Sequence, residues 1–187
     1  NLKKFFDENP EAKAVATGAD GGIYAVPVLE GDVEGKGFNF VWYTRKDLMD
    51  KYNLQAPKTL DEFYNFLKAF KEKEPDMYPL TANAIVGDTG LYTTFGRAFT
   101  GIHGFFSLDP QTDTYAFAPY HDGYKDMLVF LNKLYAEKLL DPEYSLITQA
   151  QWEERILTGK AAVTYFWKAD METIIDKARQ AGNADYD

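Results

Sequence analysis

Residues Phe38 to Lys73, FNFVWYTRKDLMDKYNLQAPKTLDEFYNFLKAFKEK, decide how the rest of the chain is read. An apolar, aromatic run from Phe38 to Tyr43 predicts a strand, followed by a short helix and a turn marked by Pro57. Thr59-Leu60-Asp61-Glu62 then fits a capping box, in which a hydroxyl and a carboxylate each satisfy a free N–H at a helix start. The helix it opens, Leu60 to Glu74, places Phe63, Phe66, Leu67 and Phe70 at i, i+3, i+4 and i+7, one apolar face that needs a core to bury it. Pro75 stops it.

Working outward, Pro79 to Ala84 predicts a short buried strand, Gly87 to Gly90 a turn, and Leu91 to Gly101 a helix of aromatic and small residues. Asp109 to Thr114 is a polar turn before a strand at Tyr115 to Ala118. The helix from Gly123 to Lys138 aligns Met127, Phe130, Leu131 and Leu134, and Asp141-Pro142 closes that segment. A further helix starts at Thr148 or Gln149, turns Trp152, Ile156 and Leu157 inward, and ends before Gly159. Ala161 to Tyr165 reads as a strand and Asp170 to Ala181 as the last helix. Strands alternating with helices predict an α/β layered fold.

Composition narrows the function. The 187 residues are 45% hydrophobic, enough for one sizeable core, and no apolar run approaches the roughly 18 residues of a membrane-spanning helix. Lys and Arg total 20 against 29 Asp and Glu, a net charge of -9 that repels a phosphate backbone and argues against nucleic acid as a partner. Cysteine is absent, so disulfides, thiolate metal sites and a Cys nucleophile are excluded. His103 and His121 stand in no zinc spacing, and Gly18, Gly21 and Gly22 make no phosphate-binding fingerprint. Neither Glu72 to Tyr78 nor Asp109 to Asp113 carries the alternating oxygen ligands and turn Gly of a calcium loop. No cofactor is expected.

The order of pieces, GGIYAVPV at Gly21 to Val28, YTRKDL at Tyr43 to Leu48, PKTLDEF at Pro57 to Phe63, then GYKDMLVFLNKLYAEKLLDPEY and LTGKAAVTYFW, resembles the carbohydrate-type extracellular solute-binding proteins of bacterial ABC importers. The resemblance covers about Asp20 to Ala178. It implies a type II periplasmic-binding-protein-like lobe, a mixed sheet flanked by helices. It also implies an extracytoplasmic protein, periplasmic or lipid-anchored, that binds a mono- or oligosaccharide without altering it and passes it to ABC permease subunits. Members are roughly twice as long and two-lobed, and the start Asn1-Leu2-Lys3-Lys4 carries no export signal, so the chain reads as a monomeric fragment. By that resemblance residues 1–27 are the tail of the first lobe and a hinge-crossing strand, and 28–187 most of the second.

Sugar rings present an apolar C–H face and a rim of hydroxyls, so their sites need flat aromatic platforms with fixed polar groups. Aromatics are 16% of this chain, including 13 Tyr and 3 Trp. The resemblance singles out Trp167 at the end of the last strand, Tyr92 and Phe95 in DTGLYTTFGR with Asp88 and Arg97 as polar partners, and Tyr43 near the hinge. Trp42 and Trp152 read as core. The rival reading is a glycoside hydrolase using paired carboxylates such as Asp88 and Glu153. Glu153 and Glu154 are better explained as the solvated face of the Trp152 helix. A docking module is the third class.

Overall fold

The computed structural model describes residues 2–26, 40–102, 104–109 and 112–182, without the side chains of 84–89. His103 and the Gly-rich stretch 30–37 lie outside the described residues. The chain divides into two units, 1–39 and 40–187.

The first unit begins with two short helices to which the sequence analysis assigned no element, α1 (Leu2–Glu8) and α2 (Pro10–Ala16). Pro10 opens α2, where its missing N–H costs nothing. A turn at Asp20 follows. The Asp20 carboxylate accepts from Gly22 N at 3.0 Å and from the Tyr24 hydroxyl at 2.6 Å, and these bonds, that of Tyr24 first, hold its pKa below the ordinary value. After it Ile23 makes a single antiparallel bridge to Thr17, and residues 24–26 join no ladder, so the strand expected from GGIYAVPV is reduced to that bridge among the described residues.

The second unit is built on a three-stranded sheet. β1 (Phe40–Thr44) leads into α3 (Lys46–Tyr52) and α4 (Leu60–Lys73), followed by β2 (Tyr78–Leu80) and α5 (Ala84–Thr100). A hairpin of β3 (Phe106–Asp109) and β4 (Thr114–Phe117) precedes a 3-10 turn at Ala118–Tyr120. The chain ends with α6 (Asp122–Ala136), α7 (Gln149–Leu157), β5 (Ala161–Trp167) and α8 (Lys168–Gln180). The sheet order is β1-β5-β2, with β5 central, antiparallel to β1 and parallel to β2.

The cap read at Thr59 forms with one difference, and the structure adds a second cap that was not read from sequence. Thr148 and Gln151 close a full capping box on α7. At α4 the Thr59 hydroxyl accepts from Glu62 N at 3.1 Å, but the Glu62 carboxylate reaches back to Lys58 N at 2.7 Å. The turn expected at Gly87 to Gly90 is instead part of α5. Glycine costs a helix only about 1 kcal/mol relative to Ala, less than the gain from burying Leu91 and Phe95 on the same helix. β3 was not anticipated, and the strand expected over Tyr115 to Ala118 lies one residue earlier, because Ala118 enters the 3-10 turn.

Apolar layers lie on both faces of the sheet. One centres on Leu67, Phe70, Leu80, Met127 and Leu134, from α4, β2 and α6. The other joins Trp152 and Ile156 of α7 to Phe166 of β5 and to Met171 and Ile174 of α8. Trp152 is fully buried, as its helix phase required; its Nε1 donates to Thr164 Oγ1 at 3.1 Å and its ring lies 4.4 Å from Phe166. Residues 139–141 form a strap beside β2, with Leu80 N donating to Leu139 O and Asp141 N to Leu80 O, each at 2.8 Å. The buried Asp141 carboxylate accepts from the Thr81 hydroxyl and from Glu143 N, each at 3.0 Å, and pairs with Arg155 of α7. Gly123 permits one close approach: a Cβ there would lie 2.2 Å from the Phe99 carbonyl oxygen at the end of α5.

Candidate functional site

Strand direction gathers the site. β1 runs against β5, so Phe40 at its start pairs with Trp167 at the end of β5, while β2 runs with β5 and releases the chain into α5 at the same edge. Open α/β sheets bind ligands at this carboxyl edge.

Alternation then selects the face. The pairs Phe40 with Trp167 and Trp42 with Tyr165 put four aromatic rings on one side of the two strands. Phe40 meets Trp167 edge-on at 5.2 Å and stacks on Tyr165 at 5.7 Å, and Trp42 lies 5.2 Å from Tyr165. From Trp42 the row continues to Phe63 of α4 at 5.3 Å and Phe95 of α5 at 5.7 Å, then from Phe95 to Phe130 of α6 at 5.6 Å. Its inner end is sealed, since Phe95 is 3% exposed. The outer end is open: Trp167 is 50% exposed and Trp42 38%. Trp42 therefore is not the core residue read from sequence, because β1 is an edge strand of the sheet.

Beside this row is a cavity of about 430 Å³ lined by Trp42, Phe63, Phe95, Pro57, Leu60 and Thr44, within the usual range for small-ligand pockets. The Thr44 hydroxyl oxygen is buried and has no hydrogen-bond partner among the described residues. An aromatic wall with a polar atom in need of a partner suits an amphipathic guest.

The residues singled out from sequence are not all brought together. Trp167 stands at the open edge, and Phe95 supports the row from the core. Tyr43 borders the same 430 Å³ cavity, but strand alternation turns its ring to the opposite face, against the Trp152 and Phe166 cluster; burial, then the nearby Glu172 carboxylate, raises its hydroxyl pKa. Tyr92 is half-buried and lines a different cavity of about 370 Å³ with Leu131, Asn132, Tyr135 and Tyr144, its hydroxyl 3.4 Å from that of Tyr144. Arg97 is exposed in the last turn of α5. Asp88 falls in the first half of α5, and its side chain is outside the described residues. Sequence reasoning missed Phe40, Trp42 and Tyr165 as a group. The available signal was the two-residue alternation of rings in Phe40-Trp42 and Tyr165-Trp167.

Of the carboxylates considered for hydrolysis, Glu153 sits on α7 in the layer behind the sheet, 3.9 Å from Lys177. Among the described residues no group of three or more His, Asp or Glu could hold a metal ion, and no helix is long and apolar enough to cross a membrane.

Residues 3–186 match the family described as bacterial extracellular solute-binding protein. A fructooligosaccharide ABC transporter substrate-binding protein, FusA of Streptococcus pneumoniae serotype 4 (strain ATCC BAA-334 / TIGR4), is 31% identical over 183 residues, 89% of this chain and 33% of that protein. Lipoprotein LipO of Bacillus subtilis (strain 168) is 30% identical over 135 residues, 64% of this chain and 25% of its own length. The solved S. pneumoniae FusA in complex with kestose superposes with a TM-score of 0.70 at 28% identity, over 89% of this chain and 36% of that one. The chain thus spans about a third of the length of the first of these relatives. The α/β fold is the type II periplasmic-binding-protein arrangement.

Proposed function

Because the chain belongs to the bacterial extracellular solute-binding protein family, we propose that it forms most of one lobe of a two-lobed binder that captures a saccharide for an ABC importer. The family consists of solute-binding proteins rather than enzymes, and its members act outside the cytoplasm. One observation carries the saccharide reading: the ring row that starts in the core and ends at half-exposed Trp167 on the carboxyl edge of the sheet. Rings braced from below form a rigid platform, so a sugar face can stack on Trp167 without having to order it first.

In this reading residues 1–27 are the tail of the first lobe with the hinge crossing, and 28–187 belong to the second. The lobes close on the sugar by hinge motion, Trp167 supplies stacking, and Asp88, Arg97, Tyr92 and Tyr43 belong to the wider set whose substitution tests selectivity. The parent works in a periplasm or from a lipid anchor, and the closed form delivers its cargo to membrane permease subunits. The relatives' descriptions as a fructooligosaccharide-binding protein and a lipoprotein support this.

The test is calorimetry and Trp fluorescence of the full-length parent against a panel of fructo-, galacto- and gluco-oligosaccharides, with chromatography of the sugars afterwards. Saturable binding with the sugar recovered unchanged is expected. Cleaved products would establish the hydrolase instead, and absence of binding across the panel would remove the saccharide reading.

A further inference from the structure

The β3–β4 hairpin is built inside out. Its register pairs Phe106 with Phe117 and Leu108 with Tyr115, so these four share one face, while Ser107, Asp109, Thr114 and Ala116 share the other. A hairpin packed on a domain ordinarily turns its apolar side inward and its polar side to water. Here Phe106 is 66% and Tyr115 74% exposed, whereas Asp109 on the reverse face is buried. Phe117 and Leu108 are exposed as well, and Tyr120 extends the surface from the following turn.

The exposed rings pack on one another. Phe106 stacks on Tyr115 at 6.1 Å and 21°, and Phe117 meets Tyr120 edge-on at 5.2 Å. The backbone below is held: Ala118 N donates to Phe105 O at 2.8 Å, and the Thr112 hydroxyl donates to Asp109 at 3.0 Å. A contiguous aromatic surface of this kind on a braced hairpin marks an interaction site.

Charge selects the occupant. Among the described residues from 104 to 126, Asp113 in the hairpin turn and Asp122 and Asp126 just after Tyr120 are exposed against one exposed cation in that stretch, Lys125, in a chain of net charge -9. An anionic bilayer is repelled by such a rim, and a second copy would set like charges against each other. A protein surface with an apolar centre and a Lys/Arg border is complementary in both respects. We propose that the outward face of the hairpin, Phe106, Leu108, Tyr115 and Phe117 with Tyr120, docks such a basic-rimmed protein surface. Resting on the function proposed above, that surface belongs to the extracytoplasmic side of the importer's permease.

The experiment measures binding of the full-length parent, with and without F106S/Y115S, to its permease in nanodiscs of zwitterionic lipid. Docking at least tenfold weaker in the variant is expected, with saccharide affinity unchanged and a melting temperature lowered by no more than about 4 °C, the effect of losing the one Phe106–Tyr115 ring pair. D113N/D126K should weaken docking as well; Asn keeps the positive φ of 54° at position 113. Wild-type docking should also fall as salt rises.

Variant docking equal to wild type overturns the proposal. So do a melting temperature lowered by clearly more than one ring pair accounts for, which would place the face inside the parent's own fold, a lost saccharide affinity, which would make it a sugar platform, wild-type binding to anionic nanodiscs lacking permease, and a wild-type dimer that the variant dissolves. A parent that binds no sugar yet docks through the hairpin sinks the saccharide reading alone. One that binds sugar and docks independently of Phe106 and Tyr115 sinks only the docking surface.

Discussion

Replacing Trp167 by Ala in the full-length parent tests the platform directly. A Trp side chain offers up to about 250 Å² to burial; at 50% exposure roughly half of that is open to a ligand, and a sugar covering one ring face takes about half again. At about 25 cal/mol per Å² those ~60 Å² are worth ~1.5 kcal/mol, or about tenfold in affinity. The fold loses the buried half of the side chain, ~125 Å² or ~3 kcal/mol at the same coefficient, together with the edge-on contact with Phe40, about 0.5–1.5 kcal/mol. Titration calorimetry with the best-binding oligosaccharide should therefore show Kd rising about tenfold in W167A and much less in W167F. Urea unfolding should shift by no more than ~4.5 kcal/mol, so the affinity comparison is made well below the melting transition of W167A. A W167A affinity within twofold of wild type, with an intact melting transition, would refute the argument that this ring grips the guest.

Other perturbations probe the frame. Asp141→Ala leaves the Arg155 guanidinium, the Thr81 hydroxyl and Glu143 N without their buried acceptor, and should cost about 3–5 kcal/mol in urea unfolding. Gly123→Ala forces a methyl against the Phe99 carbonyl and should lower the melting temperature measurably by calorimetry, whereas Gly96→Ala, whose nearest neighbour would be Met127 Sδ at 3.7 Å, should not. The Tyr52 hydroxyl, and after it Lys51, hold the Glu74 carboxyl below the usual range against partial burial. A depressed carboxyl stabilises the fold above its unfolded pKa and loses that contribution as pH falls through the folded one. The stability difference between wild type and Y52F, read from urea midpoints, should accordingly be full at neutral pH and fade in acid.

Much of the frame was legible because local rules and burial agree there. Thr59 caps α4 where the hydroxyl and carboxylate spacing said it would, and Phe66, Leu67 and Phe70 are buried as their helical phase requires. Legibility failed where tertiary packing overrode a local signal. Gly87 and Gly90 read as a turn, yet lie in α5, and Phe106 to Asp109 pairs with β4 although its apolar side faces outward and so gave no inward pattern to follow. For the site, the end of β5 was readable, but the face was not. Alternation separates Trp42 from Tyr43 within β1, but it takes the register of β1 on β5 to set Trp42 on the same face as Trp167.

The sealed indole of Trp152, behind the sheet from Trp42 and Trp167, gives the molecule an internal optical standard. An aqueous quencher such as iodide should silence the two surface indoles and spare the buried one, leaving a blue-shifted residual emission. Any sugar that shields Trp167 would then be visible as signal regained over that constant background.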